Sequence, residues 1–515
     1  MDEYADERAA KAWSKALRVL TALVGCLGGL VVASWIVIAA AHVDDSYHIG
    51  HVSGAWMALA QAANDGDLYP PLYDGERFGG TRYMPLQILV YAGAGRIGGD
   101  ELVSLKVAAY VVAALLLVVT YLVLRGLGCG RALSVGLTAT VLVSFTGVFA
   151  ATTVYGDALP VLLQIAALGL VARSSSRWAV AGAGALVALA FLSKVSAIWG
   201  LVAVAAYLLL RDRRKVPLFL GVAAAVTVAT LAAVDLASEG RMHENLLEFT
   251  FAGGGGIQAT VLESPQKLVR LLEEDAAASW LLVPLALLGT GLAVAERRLT
   301  IYHLGVAAAV CSLLVVLADT GTDFNHLVDL VVLLAVVTGA FAVRVGTNGE
   351  RDQVLSALIL VVLVVALAGS YQVRLRSDTR EAASMLLGGP TSPIYDPRPL
   401  EGLIQEGDSV LSDDPFVPVS LGERPVIGDA FMLLRIADRH PEWRADLVRR
   451  IERHEFDKVV LTLPLDLTDD WWSDFHLGIE IATALAREYR LAGRVVGSYD
   501  YYSIYVPRNA AGTGS

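Results

Sequence analysis

Long apolar runs recur along most of this chain, and they constrain its fold more than any other feature. They begin at residue 17 and continue to residue 374. Many approach or reach the roughly 20 residues that a helix needs to cross a hydrocarbon core of about 30 Å. Because unpaired backbone amides and carbonyls are costly in lipid, such runs fold as helices. With 55% of its 515 residues hydrophobic, the chain is predicted to be a polytopic α-helical membrane protein with about eleven spans.

The distribution of basic residues predicts how these spans are oriented. The spans lie near residues 17–41, 103–124, 132–152, 157–172, 178–193, 196–210, 217–236, 280–295, 302–318, 326–343 and 354–373. Lysine and arginine in short loops favour the cytoplasm, and here they fall in alternate loops, on the same side as the basic segment 1–16. We therefore expect the N-terminus inside the cell, and loops 42–102 and 238–279 and residues 375–515 outside.

Residues 375–515 have the composition of a soluble domain. Strand-like alternation in DKVVLTL and RVVGSYDYYSIYVP is interleaved with helical periodicity in EWRADLVRRIERHEF, which predicts a small extracytoplasmic α/β domain. The segment contains no phosphate-binding glycine loop, nucleophile elbow or metal-ligand spacing, so we expect it to recognise an acceptor or to stabilise the protein.

Charge and cysteine content exclude several classes of protein. The net charge of −11 belongs to loops and the C-terminal segment, and no lysine-rich block indicates nucleic-acid binding. The three cysteines lie in or beside apolar runs, so the sequence predicts neither a disulfide framework nor a zinc site.

Polar residues gather at the predicted outer ends of the spans. Two adjacent carboxylates, Asp44 and Asp45, follow the first span, where they would repel each other unless hydrogen bonds, a cation or a substrate offset their charge. Ionisable residues at membrane depth usually face a cavity or a partner, although each could instead cap its own helix or be a solvated acid. The others on this side are Arg82, Tyr83, Tyr155, Asp157, Lys194, Asp323, Asn325 and His326.

Two of these residues are candidates for binding phosphate. Lys194 stands between two apolar runs on the side that the positive-inside rule disfavours, so we expect an anionic partner, for which phosphate is a natural candidate. Arg82 could bind a phosphate through two hydrogen bonds, or it could extend to lipid headgroups.

The outer loops are predicted to be structured. Helical spacing at 49–63 and from Pro85 to Gly98 indicates two amphipathic helices lying on the membrane, which could roof a lateral opening for a lipid. The glycine run in FAGGGGIQATVLESP lacks the strand-to-helix context of a phosphate loop, so we interpret 238–279 as a mobile lid rather than a binding nest.

Several of these segments together resemble the GT-C superfamily of membrane glycosyltransferases, which includes protein O-mannosyltransferases, aminoarabinose transferases and arabinofuranosyltransferases. HVDDSY matches the acidic pair after the first span, and RYMPL matches the segment that introduces the later helix of the first loop. TVYGDALPVLL, SKVSA and DFNHLVDL resemble later family motifs in the same order. The pair here is DD where DE is commoner, and the DxD of metal-dependent relatives is absent. Richness in Ala, Val, Gly and Arg is consistent with an actinobacterial source.

The resemblance implies transfer of a sugar from a polyprenyl-phosphate donor to an acceptor outside the plasma membrane, with inversion at the anomeric carbon. Such a displacement needs a carboxylate base, for which Asp44 is the candidate with Asp45 orienting it, and cations at the leaving phosphate. Arg82, Lys194 and His326 are the candidates for the phosphate; Tyr83, Tyr155, Asp157, Asp323 and Asn325 are the candidates for the rest of the substrate.

Three questions stay open at this point. The acceptor is a glycan, a lipid or a protein. A divalent cation, Mg²⁺ or Mn²⁺, could bridge Asp44 and Asp45. A transporter or lipid flippase is the alternative function, and it predicts charges near the middle of spans. Apart from Lys106 and Asp329, the predicted spans hold no charge and the ionisable residues lie at their outer ends, which favours the enzyme.

Overall fold

A bundle of helices forms most of the molecule. The computed structural model describes residues 2–252, 259–274, 277–319, 321–346, 350–390, 395, 400, 402–405, 407–466, 472, 476–496 and 501–508. The helices of the bundle and its loops, α1 to α16 in chain order, are Asp2–Ala41, His51–Asn64, Pro85–Gly98, Glu101–Gly126, Arg131–Ala139, Phe145–Thr152, Ala158–Arg173, Arg177–Ser193, Trp199–Arg211, Val216–Ala237, Arg241–Ala252, Ser264–Glu274, Ala277–Ala295, Ile301–Val316, Val328–Val345 and Glu350–Ser370. Helix α15 lies at the centre, buried along nearly its whole length.

Every predicted span coincides with an apolar helix or a pair of helices. Within the described residues, five helices are long and apolar enough to cross a membrane, or up to seven if each of two bent pairs counts as one span. Four further apolar helices, α7, α8, α9 and α14, are shorter. The structure therefore agrees with a multi-pass membrane protein, while eleven crossings and the orientation stay predictions.

One predicted span is broken. The segment 132–152 bends by 85° between α5, extended by a 3-10 turn at Thr140–Val143, and α6. Ser144 begins α6 by accepting a hydrogen bond from the amide of Gly147 at 3.0 Å. A Cβ on Gly147 would lie 1.6 Å from the carbonyl oxygen of Val141, so the bend needs glycine there. Hydropathy alone did not reveal this bend.

Loop 42–102 carries the two helices that the sequence predicted, α2 and α3, which pack against each other. Loop 238–279 contains α11, a π-helical turn at Ala259–Glu263 and α12. The glycine run of the predicted lid, 253–256, lies outside the described residues.

The C-terminal region is a small α/β unit built on a four-stranded sheet. Its strands β1 to β4 are Val410–Ser412, Lys458–Leu461, Tyr489–Val496 and Tyr501–Pro507, in the order β1-β2-β4-β3. The β1–β2 pair is parallel and the other two pairs are antiparallel. Helices α17 to α21 are Arg376–Leu386, Phe416–Ser420, Ala430–Ala437, Pro441–Glu452 and Ile479–Glu488. The apolar faces of α20 and α21 and of β1 and β2 share one core.

The α/β unit docks directly on loop 42–102. Phe78 pairs with this unit like a short strand: its amide donates to the carbonyl of Val426, and its carbonyl accepts from the amide of Gly428, both at 2.8 Å. Arg424 binds Asp65 at 2.9 Å and Asp67 at 2.7 Å. These contacts place the α/β unit over the end of the bundle that carries the candidate residues.

Candidate functional site

Asp45 is a buried carboxylate whose two oxygens are already bonded. One oxygen accepts from the backbone amide of Tyr47 at 2.9 Å and lies 3.4 Å from the ammonium of Lys106. The other lies 2.6 Å from Nδ1 of His42. Lys106 also donates to the backbone carbonyls of His42, at 2.6 Å, and Asp45, at 2.5 Å. Lys106 therefore fixes the end of α1 and the turn that follows it.

Asp44 is placed differently. Its side chain is exposed, and within the described part of the chain no hydrogen bond or ion pair reaches its carboxylate. Because Asp45 and Lys106 offset each other's charge, the pair of acids expected from the sequence separates into a fixed residue and a free one. Of the two acids, Asp44 is the one whose carboxylate has no protein partner among the described residues.

Aromatic rings hold the turn that carries Asp44. The ring of Tyr47 stacks on His42 at 4.1 Å and on His48 at 4.0 Å. Its hydroxyl donates to Asp378 of α17 at 3.1 Å. Burial lowers the pKa of His48 to about 3, so this ring is neutral at physiological pH and adds no positive charge beside the acids.

Asp157, Lys194 and Asn325 form a second polar cluster from three separate segments. Asp157 precedes α7, but its side chain does not cap that helix. It forms an ion pair with Lys194 instead, and both of its oxygens accept from the Asn325 amide at 3.2 Å. Lys194 therefore has an anionic partner within the protein. The sequence predicted an anionic partner for this lysine, with phosphate as a natural candidate.

His326 lies where several positive charges converge. The charges of Lys194, Arg82 and Lys267 all act on its ring. Lys267, on α12, donates to the carbonyl of Asp319 at 3.2 Å. Among the described residues, no carboxylate lies within ion-pair distance of Arg82 or Lys267. Asp319 acts on both cations from a longer distance, as do Asp429 on Arg82 and Asp323 on Lys267, but neither cation is held in a direct ion pair among these residues, which leaves both able to bind an anion.

The remaining predicted residues surround these clusters. Tyr83 stacks on Trp56 with ring centroids 4.1 Å apart, and burial raises the pKa of its hydroxyl, which stays a neutral donor. The carbonyl of Tyr155 accepts from Tyr91 at 2.6 Å. Asp323 is exposed and accepts from the amide of Phe324 at 2.8 Å, so its side chain caps the turn that carries Asn325.

Aromatic contacts join the turn at Asp44 to the second cluster. The ring of His48 lies 5.3 Å from that of Phe149. Phe149 in turn contacts Tyr155 at 5.0 Å and Phe324 at 5.2 Å. Residues far apart in sequence therefore meet at one end of the bundle.

The two charged residues that the sequence placed inside spans lie at this same end. Lys106 is in the second turn of α4 and holds Asp45. Asp329 is in the first turn of α15 and accepts from the indole of Trp199 at 2.6 Å. Both helices begin at the polar end, so neither residue lies near the middle of its helix.

Sequence reasoning missed the roles of Lys106 and Lys267. Both are lysines near an apolar segment on the side that the positive-inside rule disfavours. The same signal singled out Lys194, and it could have found these two.

A divalent cation fits the acidic pair poorly. Both oxygens of Asp45 already accept hydrogen bonds or an ion pair, which leaves Asp44 as one free carboxylate where Mg²⁺ prefers several oxygen ligands. Across the residues that the structure describes, no three His, Cys, Asp or Glu side chains are grouped as a metal site requires.

The described residues build a helical bundle with an α/β unit over its polar end. No protein-family model and no curated protein matches the sequence. The comparison with solved structures does find the fold, in two GT-C proteins, ArnT and AglB.

ArnT from Cupriavidus metallidurans in the apo state is similar to this chain with a TM-score of 0.60 and 13% identity, over 92% of this chain and 97% of ArnT. ArnT bound to undecaprenyl phosphate is similar with a TM-score of 0.61 and 13% identity, over 95% of this chain and 99% of ArnT. A third similar structure is the archaeal oligosaccharyltransferase AglB from Archaeoglobus fulgidus, solved in complex with an inhibitory peptide and a dolichol-phosphate. Its TM-score is 0.50 at 10% identity, over 84% of this chain and 69% of AglB. At such identities the likeness shows a shared fold, and the resemblance seen in the sequence is confirmed at that level.

Proposed function

We propose that this chain is an inverting glycosyltransferase that moves a sugar from a polyprenyl-phosphate donor to an acceptor in the cell envelope. The observation that carries the proposal is one end of the bundle where, among the described residues, the exposed carboxylate of Asp44 has no protein partner and the charges of Arg82 and Lys267, which form no ion pair, act on His326. Neighbours with the same fold were solved with undecaprenyl phosphate and with a dolichol-phosphate, which supports a lipid phosphate as the ligand.

The charges fit the chemistry of such a transfer. A sugar phosphodiester carries one negative charge, and the lipid phosphate that leaves it gains a second as the glycosidic bond breaks. Cations without carboxylate partners stabilise that developing charge. Asp44 removes the proton from the acceptor hydroxyl as its oxygen attacks the anomeric carbon on the face opposite the phosphate, which inverts the configuration.

The other residues have supporting roles in this proposal. Asp45 and Lys106 orient Asp44 without touching the substrate. Asp157 and Asn325 hold Lys194 beside the phosphate, and Tyr83 and Tyr155 border the sugar. The site lies on the extracytoplasmic side of the plasma membrane, as the distribution of basic loops predicts.

The positions of Lys106 and Asp329 count against the rival transporter. A proton relay needs ionisable groups partway along the spans. Both residues instead lie in the first two turns of their helices and bond to neighbours there.

The direct test measures transfer of radiolabel from a set of polyprenyl-phosphate sugars in membranes that contain the protein. We expect the parent protein to transfer label and Asp44→Asn to lose transfer while it still binds the lipid. Asp438→Asn, an exposed carboxylate of the α/β unit, is the matched control and should transfer normally. Lanes with EDTA test for a metal requirement.

Two outcomes would contradict the proposal. If no donor is consumed by the parent, the transferase assignment fails and the transporter becomes the leading hypothesis. If Asp44→Asn transfers as well as the parent, the assignment of the base fails.

A further inference from the structure

An aromatic side chain of the α/β unit faces the phosphate-binding candidate Arg82. Phe431 lies in the first turn of α19. The guanidinium carbon of Arg82 is 5.5 Å from the centroid of its ring, and that of Arg435 is 5.1 Å from the same centroid. Both distances are within the range of a cation–π interaction.

The position of this ring is fixed by its own helix and by the bundle. Asp429 caps α19 by accepting from the amide of Met432 at 3.1 Å. Phe431 packs against a small apolar cluster that includes Phe249 of α11. On the side of the bundle, a Cβ on Gly321 would lie only 2.6 Å from Cζ of Phe431, so the turn before Asp323 rests directly on the ring.

The chemistry of this contact differs from that of an ion pair. A carboxylate would hold Arg82 in place but would neutralise the charge that a phosphate needs. A ring attracts the guanidinium through its π face and leaves its charge and N–H groups available. Arg82 carries a long, flexible side chain, and ordering it in advance lowers the entropy that must be lost on binding.

We propose that Phe431 is a positioning residue that holds Arg82 ready for the lipid phosphate, so that the α/β unit completes the donor site. This inference rests on the proposed function for the identity of the ligand. It assigns the α/β unit a part in donor binding, beyond the acceptor recognition or stabilisation expected from its sequence.

The test measures binding of an undecaprenyl phosphate without sugar to the full-length protein in nanodiscs, and the kinetics of transfer in parallel. Phe431→Leu keeps an apolar side chain but removes the ring, and we expect its Kd to rise about three- to tenfold. Phe431→Tyr keeps the ring and should bind undecaprenyl phosphate as the parent does. Phe249→Leu makes the same substitution in the same apolar cluster, at a ring that Arg82 does not face within the described residues, and should bind as the parent does.

Three further measurements separate positioning from a merely structural role. In Phe431→Leu, KM for the donor should rise while kcat stays within about twofold, because binding is lost equally in ground state and transition state. In the background of Arg82→Gln, Phe431→Leu should cause no further loss, because the two residues act as one unit. Gly321→Ala, which pushes on the ring from the bundle, should weaken binding without any change to Phe431.

The outcomes distinguish this inference from the proposed function. The inference is overturned, and the transferase stands, if Phe431→Leu folds normally and binds undecaprenyl phosphate like the parent. The same holds if the loss of binding in Phe431→Leu adds to the loss of binding in Arg82→Gln. If the expected binding pattern appears but the parent transfers no sugar, the proposed function fails and the inference stands. A parent protein that binds no undecaprenyl phosphate contradicts both.

Discussion

The buried pair of Lys106 and Asp45 gives the sharpest prediction about stability. The side chain of Lys106 is fully buried and that of Asp45 is 7% exposed. Lys106→Met keeps an unbranched side chain that is one heavy atom shorter, but it removes three donated hydrogen bonds and leaves the carboxylate without its cation. Removing one partner of a buried pair typically costs about 3–5 kcal/mol, because the other charge stays desolvated.

The remaining contacts of Asp45 place the expected cost at the lower end of this range. The carboxylate keeps its hydrogen bonds with the amide of Tyr47 at 2.9 Å and with Nδ1 of His42 at 2.6 Å. We therefore expect the free energy of unfolding to fall by about 3 kcal/mol, which is more than a hundredfold in the ratio of folded to unfolded protein.

The measurement is SDS-induced unfolding of the purified protein in mixed micelles, followed by tryptophan fluorescence. Lys215→Met removes a more exposed ion pair with Asp212 and should change stability little, since exposed pairs contribute little. The double variant Lys106→Met/Asp45→Asn should lose less than the sum of the two single variants, because no charge is left buried alone. A Lys106→Met protein that unfolds at the same SDS fraction as the parent would refute the reasoning.

Substitutions of Asp44, Gly147 and Asp414 should affect transfer, folding stability and its pH dependence, respectively. Asp44→Asn should slow transfer by roughly 10²- to 10⁴-fold, the usual contribution of a general base, with unchanged unfolding because the side chain is exposed; equal transfer would contradict its role. Gly147→Ala should lower the stability of the folded protein, since its Cβ would overlap the carbonyl of Val141, and SDS unfolding at the parent's midpoint would show that the bend tolerates a side chain. Burial raises the pKa of Asp414 to about 6, above its unfolded value of about 3.9, so the folded state binds the proton more tightly and stability should fall as pH rises from about 4 to about 6. Asp414→Asn should flatten that dependence in thermal unfolding measured across this range, and a slope that persists in the variant would assign it to another group.

Arg82 illustrates why the site could be predicted only in part from the sequence. The positive-inside rule and the resemblance to GT-C proteins singled out the loop that carries Arg82 and the position of Lys194. Which cations keep a free charge depends on contacts made across the fold: Lys194 meets Asp157, whereas Arg82 meets the ring of Phe431. No local pattern reports which partner a long side chain will reach.

The role of Asp157 at the start of α7 also depends on contacts with distant segments. An Asp before an apolar helix is most simply interpreted as a cap, and the competing partners are invisible when they come from distant segments. Here the ion pair with Lys194 and the amide of Asn325 together replace the cap.

The sequence by itself determined the class of this protein. The length and apolar composition of the runs between 17 and 374, and the change to a soluble composition after 375, require a helical membrane bundle with an α/β unit, because hydropathy and periodicity are properties of neighbouring residues. Only the tertiary structure decided that Asp45 is fixed by Lys106 while Asp44 has no partner among the described residues, and that Phe431 of the α/β unit faces Arg82. Such contacts join residues tens to hundreds of positions apart, and they arise from packing that one stretch of sequence cannot specify.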